Sequence, residues 1–421
     1  MDTPSVLGDQ LREATCPACG HHVAVPFFDG GAQPLATLAW PASAEEAQAM
    51  RRLPLDFVRC VECGHVFNAA FDYRAVPYSD KPNLMFNRAG GWSEHLREVR
   101  EMILARLGEH PSVVEIGHGQ GDLLRALAEA RPAGRYVGFD PHGARADRNG
   151  PLEFRQALFV PGRHVAELRP DLIVSRHVLE HLSDPLGFVQ SVSFAATWAR
   201  HELDLFIEVP CVDRALATGR TVDFYYEHNS HFTTESFTRM LARCSGHVTG
   251  VRHGYDGEVI YAFAHLVGEP HHVAHAASAR AFRERARGAG ETIREQFDAL
   301  HASGLTVAIW GGTGKSAAFM TQFGVDAVRF PLVVDSDQDK VGTFAPGTGQ
   351  EIRFRDWLID HPTDVVVVPP QWRARDIVDE MQRCGIHCET VLIEFNGRLV
   401  DYHAVSHPYQ GQPVSDHALE R

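Results

Sequence analysis

The chain has 421 residues, 44% of them apolar and 22% charged, the make-up of an ordinary globular protein with room for about three domains. Lys plus Arg number 40 and Asp plus Glu 54, a net charge of −14, which argues against a non-specific binder of nucleic acid or of an anionic membrane. No apolar run reaches the roughly 18 residues that a membrane span needs, and the start MDTPSVLGDQLREATC lacks a secretory pattern, so a cytoplasmic enzyme acting on a small molecule is expected.

Residues 1–83 read as a small module of short strands and loops around two cysteine pairs. Cys16-Pro-Ala-Cys19-Gly and Cys60-Val-Glu-Cys63-Gly each aim two thiolates at one centre. Together they offer the four soft ligands that a structural Zn²⁺ takes, with no position left for water. Two disulfides are disfavoured without an export signal, and a redox CxxC would not need its duplicate. The other four cysteines, Cys211, Cys244, Cys384 and Cys388, are scattered and read as inert thiols.

A helical pattern follows within 84–107. Apolar strands then alternate with amphipathic helices: SVVEIG (112–117), RYVGFD (135–140), PDLIVS (170–175) and LDLFIEVP (203–210). This alternation implies a parallel sheet covered by helices. A long polar helix over about 273–302 reads as a connector to a second series: TVAIWG (306–311), FPLVVDS (330–336), TDVVVVPP (363–370) and ETVLIEF (389–395). The tail from Tyr402 is polar and expected to fray.

Gly117, Gly119 and Gly121 follow the first strand, where the backbone must turn sharply and approach a ligand. Asp140 ends the second strand, placed to hold a ribose diol. With Glu115 in front, the loop resembles the ExGxGxG pattern of S-adenosylmethionine enzymes. The run His177-Val-Leu-Glu180-His181 has the spacing of an inverted zinc-protease motif. That motif needs its ligands within a helix, whereas His177 stands at a strand end, so we reject it. The run resembles the HVLEHLxDP segment of class I methyltransferases, which implies that His177 lines the cofactor pocket. After the last strand of the series comes Tyr225-Tyr-Glu227-His228-Asn-Ser-His231. Aromatics, a carboxylate and two histidines at the carboxyl edge of a parallel sheet point to proton transfer and oxyanion stabilisation.

Across nearly its whole length the chain resembles the three-domain sugar C-methyltransferases, which act at C3 of nucleotide-linked 4-keto deoxysugars. The resemblance implies a class I (Rossmann-like) α/β methyltransferase domain over 84–268. It implies an N-terminal zinc-binding module over 1–83 and a smaller C-terminal Rossmann-like α/β domain over 269–421. It places zinc on Cys16, Cys19, Cys60 and Cys63, S-adenosylmethionine on the glycine loop, and catalysis on Tyr225, Glu227 and His228, with the histidine as base. A further catalytic tyrosine falls on Tyr78, or on Tyr73. Two features depart from that family: His231 stands where an aromatic is usual, and Tyr255-Asp-Gly257-Glu258 stands where a Gly-Gly-Ser-x-Arg-like stretch is usual. Gly311-Gly-Thr-Gly314-Lys315-Ser316 lacks the first glycine of a phosphate loop and reads as a glycine turn at a helix start, able to hold an anion. An O- or N-methyltransferase, or a non-catalytic protein that binds S-adenosylmethionine and zinc, remain the alternatives.

Overall fold

A computed structural model describes residues 11–38, 40–77, 90–244, 247–266 and 269–410. They fall into two compact units, residues 1–274 and 275–421. The expected cysteine module and cofactor domain thus lie within one unit.

The first unit holds two sheets. Strands β1 (Arg12–Glu13), β2 (Val23–Gln33), β3 (Leu53–Cys60) and β4 (Val66–Asn68) form an antiparallel sheet in that order. The second sheet is built from β5 (Ser112–Ile116), β6 (Arg135–Phe139), β7 (Asp147–Asn149), β8 (Leu152–Arg155), β9 (Leu172–Arg176) and β10 (Leu203–Pro210). A two-residue strand, β11 (Ser230–His231), joins β4 of the first sheet, and β12 (His247–Gly254) and β13 (Val259–Leu266) complete the second. The second sheet runs β12-β13-β10-β9-β5-β6-β8-β7. From β10 to β8 its neighbours are parallel, and β13 returns antiparallel along β10. The chain therefore leaves β5 toward β6 and later crosses to β9 on its other side. That switch opens a crevice at the carboxyl ends of β5 and β9, where ligands of such sheets bind.

One apolar core unites the two sheets of this unit. Cys16, Cys19, Cys60, Cys63 and Phe67 share it with Val114, Ile173 and Ile207, and with Phe232, Phe237 and Met240 between them. The helix Thr234–Ala242 supplies Phe237, Met240 and Leu241, one face of a helix begun by a Thr233–Ser236 capping box.

The second unit begins within the long helix Pro270–Ala302, whose Ile293 and Phe297 enter its core. Its sheet contains β14 (Val307–Trp310), β15 (Leu332–Asp335), β16 (Ile352–Phe354), β17 (Val365–Val368), β18 (Thr390–Phe395) and β19 (Arg398–Asp401), ordered β16-β15-β14-β17-β18-β19. All neighbours are parallel except β19 against β18. The eight strands expected from sequence are present, and the short strands expected within 1–83 appear as β1–β4; β7, β8, β11, β12, β13, β16 and β19 were not anticipated. The tail differs from expectation as far as Gln410. Tyr402 is buried, its amide donates to Val391 O, and its hydroxyl donates to Tyr409 O. Spaced aromatics within a polar run hid this packing. Among the described residues no helix is long and apolar enough to cross a membrane.

The shared core yields a stability prediction. Phe237 is fully buried against Phe232. Phe237→Ala is expected to cost about 3–5 kcal/mol, read as a lower denaturant midpoint.

Candidate active site

The loop from Asp223 to His231 leaves the carboxyl side of the second sheet and ends in β11, paired with the first. Within it Phe224, Tyr226 and Glu227 turn inward, while Tyr225 and His228 stay half-buried. The fully buried Glu227 carboxylate accepts three backbone N–H groups: Thr37 at 2.7 Å and Ala36 and Leu38 each at 3.1 Å. Those donors tie the loop to the segment Ala36–Leu38. Tyr226 OH accepts from the Asp72 amide at 2.8 Å and fixes the other flank.

Tyr225 OH lies 2.8 Å from His228 Nε2, and the rings tilt together at 4.3 Å. Burial drives the His228 imidazole well below its usual range, and His181, His231 and His177 push the same way. Burial raises the Tyr225 phenol, with Glu180 adding to it. The pair thus sets a neutral imidazole beside a protonated phenol. The His181 ring meets His228 edge to face at 4.8 Å, with Nδ1 2.8 Å from Glu227 O.

His231 packs against Phe224 at 4.8 Å and Phe57 at 5.2 Å. Burial lowers it to about 3, so it serves as the aromatic expected at that place. Glu258 is neutralised by Arg220, which bonds both its oxygens and also Asp223. Tyr78 lies outside the described residues. Tyr73 is exposed on the turn Tyr73–Ala75.

The glycine loop stands at the β5 switch. Gly117, Gly119 and Gly121 all have positive φ, at 73°, 55° and 79°. A Cβ at Gly117 would lie 2.5 Å from Val178, and one at Gly121 2.3 Å from Phe154, so the loop admits no larger residue there. Asp140 fixes the loop by accepting from Gly119 N at 3.0 Å and His142 N at 2.8 Å, which leaves lone pairs for a ligand. Buried Glu115 Oε2, His118 Nε2 and His142 Nε2 have no hydrogen-bond partner among the described residues. Orphaned polar atoms around a glycine cradle fit an adenosyl ligand. Burial lifts the Glu115 carboxyl to about 8, with Arg176 partly offsetting it.

Glu208 was not singled out from sequence except as the end of a strand. It is a hub. The fully buried carboxylate takes Arg176 through Nε at 2.9 Å and Nη2 at 2.8 Å, and His95 Nε2 at 2.7 Å. His177 Nε2 lies 3.1 Å away, and its Nδ1 is 3.5 Å from Glu180. Burial alone would raise Glu208; Arg176 and the two histidines overcome this and hold it well below the carboxylate range. Burial alone would lower His177; Glu180 and Glu208 lift it to about 9. His177 is therefore charged where His228 is neutral. The signal for Glu208 was present: a carboxylate late in the strand Leu203–Pro210, after the apolar run Leu205–Ile207.

The four cysteines of the two pairs are buried and free, with their Sγ atoms within 4.8 Å of one another. Cys16–Cys63 and Cys19–Cys60 are each 3.6 Å apart. Tetrahedral zinc with metal–sulfur bonds of about 2.3 Å needs sulfur–sulfur edges of about 3.8 Å, whereas a disulfide needs about 2.05 Å. The cluster fits a metal ion.

Residues 89–244 match the model of a methyltransferase domain, and residues 267–390 that of a C-methyltransferase C-terminal domain. The chain is 24% identical to the C-methyltransferase NovU of Streptomyces niveus, over 91% of this chain and 94% of that protein. Among solved structures, the magnesium protoporphyrin IX methyltransferase of Synechocystis PCC 6803, with SAH bound, shares 12% identity over 42% of this chain and 90% of its own, at a TM-score of 0.32. The 1,6-didemethyltoxoflavin-N1-methyltransferase of Burkholderia thailandensis shares 13% over 50% of this chain and 99% of its own, also at 0.32. The chain has the class I methyltransferase fold and is an S-adenosylmethionine-dependent methyltransferase.

Two measurements test this wiring. Glu227→Gln places an amide against amide donors and is expected to cost about 2–3 kcal/mol in urea unfolding, with turnover per folded molecule kept within about tenfold. Glu115 has a folded value of about 8 against 4.5 for an ordinary glutamate, so the folded state holds an extra proton between them. Its contribution to stability therefore falls as pH rises through that window. Glu115→Gln should flatten this part of the stability–pH curve of the cofactor-free protein.

Proposed function

We propose that this C-methyltransferase methylates the carbon beside the ketone of a nucleotide-linked 4-keto deoxysugar, with His228 as the base. The observation that carries this reading is the Tyr225–His228 pair, phenol oxygen and imidazole Nε2 2.8 Å apart. A carbon beside a ketone becomes a nucleophile only when a base removes its proton. His228 Nε2 takes that proton once the Tyr225 hydroxyl turns from it to the substrate oxygen, where it stabilises the enolate. Glu227 holds the loop in place through Ala36, Thr37 and Leu38. Tyr78 is a second candidate donor to that oxygen. A hydroxyl or amine acceptor needs no enolate, and the C-methyltransferase C-terminal domain favours carbon. The sugar is supported by the resemblance across the chain, and the neutralised Glu258 removes one objection to an anionic substrate.

S-adenosylmethionine, when bound, supplies an electrophilic methyl. Glu115, Gly117, Gly119, Gly121, Asp140 and His177 would hold it in the β5 crevice. Zinc at Cys16, Cys19, Cys60 and Cys63 would be structural, since four sulfurs leave no open position. Domains over 1–83, 84–268 and 269–421 would divide the work into zinc binding, methyl transfer and a third role. Eight free cysteines fit a cytoplasmic enzyme.

The test is transfer of labelled methyl to a nucleotide-linked 4-keto deoxysugar. His228→Asn should slow it about 10²–10⁴-fold, the usual worth of a general base. A His228→Asn variant that transfers methyl at the wild-type rate would refute the reading. Protonation of His228 silences the base, and burial places that event below the ordinary value of 6.5. The acid limb of kcat/KM should therefore lie below that value. Removing zinc with a strong chelator should lower the melting temperature and activity together, and added zinc should restore both.

A further inference from the structure

The second unit repeats the wiring of the first at its own switch point. In both, the central strand runs into a glycine turn and a helix, and the neighbouring strand ends in an aspartate. Asp140 Oδ2 accepts from Gly119 N at 3.0 Å, and Asp335 Oδ2 accepts from Gly312 N at 3.0 Å. Asp140 Oδ1 accepts from the amide two residues on, His142 at 2.8 Å, and Asp335 Oδ1 does the same with Asp337 at 3.0 Å. Gly311 at φ 107° and Gly314 at φ 60° bend the second turn. A cavity of about 420 Å³ opens there, at the carboxyl ends of β14, β15 and β17. That is the size and place of a small-ligand site.

The lining differs from the first crevice in charge. Lys315, Lys340 and Arg373 border the cavity, with the rings of Trp310 and Trp372. Lys340 is spoken for by Asp335 at 3.3 Å and Asp337 at 3.5 Å. Lys315 and Arg373 form no ion pair among the described residues; their cations sit 5.3 Å and 5.9 Å from the centre of the Trp372 ring. Lys315 also opens the helix Lys315–Phe323, whose first turn carries no acidic residue. A cation there opposes the helix dipole, and an anion beside it removes the conflict. In a chain of net charge −14, two unpaired cations at a cavity mouth are out of keeping with the surface.

We propose that this cavity binds a nucleoside diphosphate. Asp335 takes the ribose hydroxyls, as the matching wiring at Asp140 suggests. Lys315 and Arg373 take the diphosphate, and Trp372, 61% exposed, offers a face to the base. The site lies wholly within the second unit and does not depend on the acceptor chemistry proposed above. The ligand it takes is a free nucleotide.

The test is direct titration of the full chain with UDP, dTDP and ADP, beside inorganic pyrophosphate and S-adenosylhomocysteine. At least one nucleoside diphosphate should bind saturably, and Lys315→Ala, Arg373→Ala and Trp372→Ala should each weaken it about tenfold, the usual loss for a charge-assisted contact or a stacking face. S-adenosylhomocysteine binding should not change, which shows the variants fold. No binding by any of the three, binding indifferent to all variants, or pyrophosphate bound as tightly as the nucleotides would overturn the proposal. Lys315→Ala should lose nucleotide affinity with the KM of methyl transfer unmoved, and a variant that keeps its nucleotide affinity while that KM rises would overturn the proposal.

Discussion

A carboxylate shut away from water must be met by donors, and Glu227 meets three backbone N–H groups from a segment about 190 residues earlier in the chain. Almost everything distinctive about the first unit follows from that contact. It ties the cysteine-bearing sheet to the loop that carries Tyr225 and His228. The β11–β4 pairing just beyond it extends the tie, Ser230 lying opposite Phe67 and His231 opposite Val66. The apolar core then closes around the cysteine cluster and the parallel sheet together. A metal at the cysteines would therefore act on catalysis through position alone.

Histidines in the same unit are set to opposite charge states by their neighbours. His177 stands between Glu180 and Glu208 and keeps its proton. His231 and His65 are buried and His228 half-buried, none with a carboxylate in hydrogen-bond reach among the described residues, and they lose theirs. A base must be neutral at working pH, and a structural clamp between carboxylates must be charged. The separation needs no metal; it follows from where each ring is placed.

The parallel strands, the glycine turns and the cysteine pairs were legible because each is written locally: apolar runs of strand length, glycines at fixed offsets, CxxC spacing. The antiparallel pair β12–β13, the two-residue β11 and the docked tail at Tyr402 were not, because their partners lie far away in sequence or their apolar pattern is short. For the site, residue types were legible and roles were not. Glu227 reads as a catalytic acid or base from its neighbours, and its carboxylate also takes three N–H groups of a distant backbone that no local motif shows. Glu208 reads as the end of a strand, yet it gathers Arg176, His95 and His177. Burial and long-range hydrogen bonding decide such roles, and neither is visible in a local motif.

The central claim is that His228 makes a carbon nucleophile before any methyl moves. The most direct measurement is deuterium uptake from solvent into a nucleotide-linked 4-keto deoxysugar, with the enzyme present and S-adenosylmethionine withheld. The account predicts uptake at the carbon beside the ketone in the wild type and its loss in His228→Asn. Methyl transfer to the same sugar with no uptake, or uptake that survives the substitution, would contradict it.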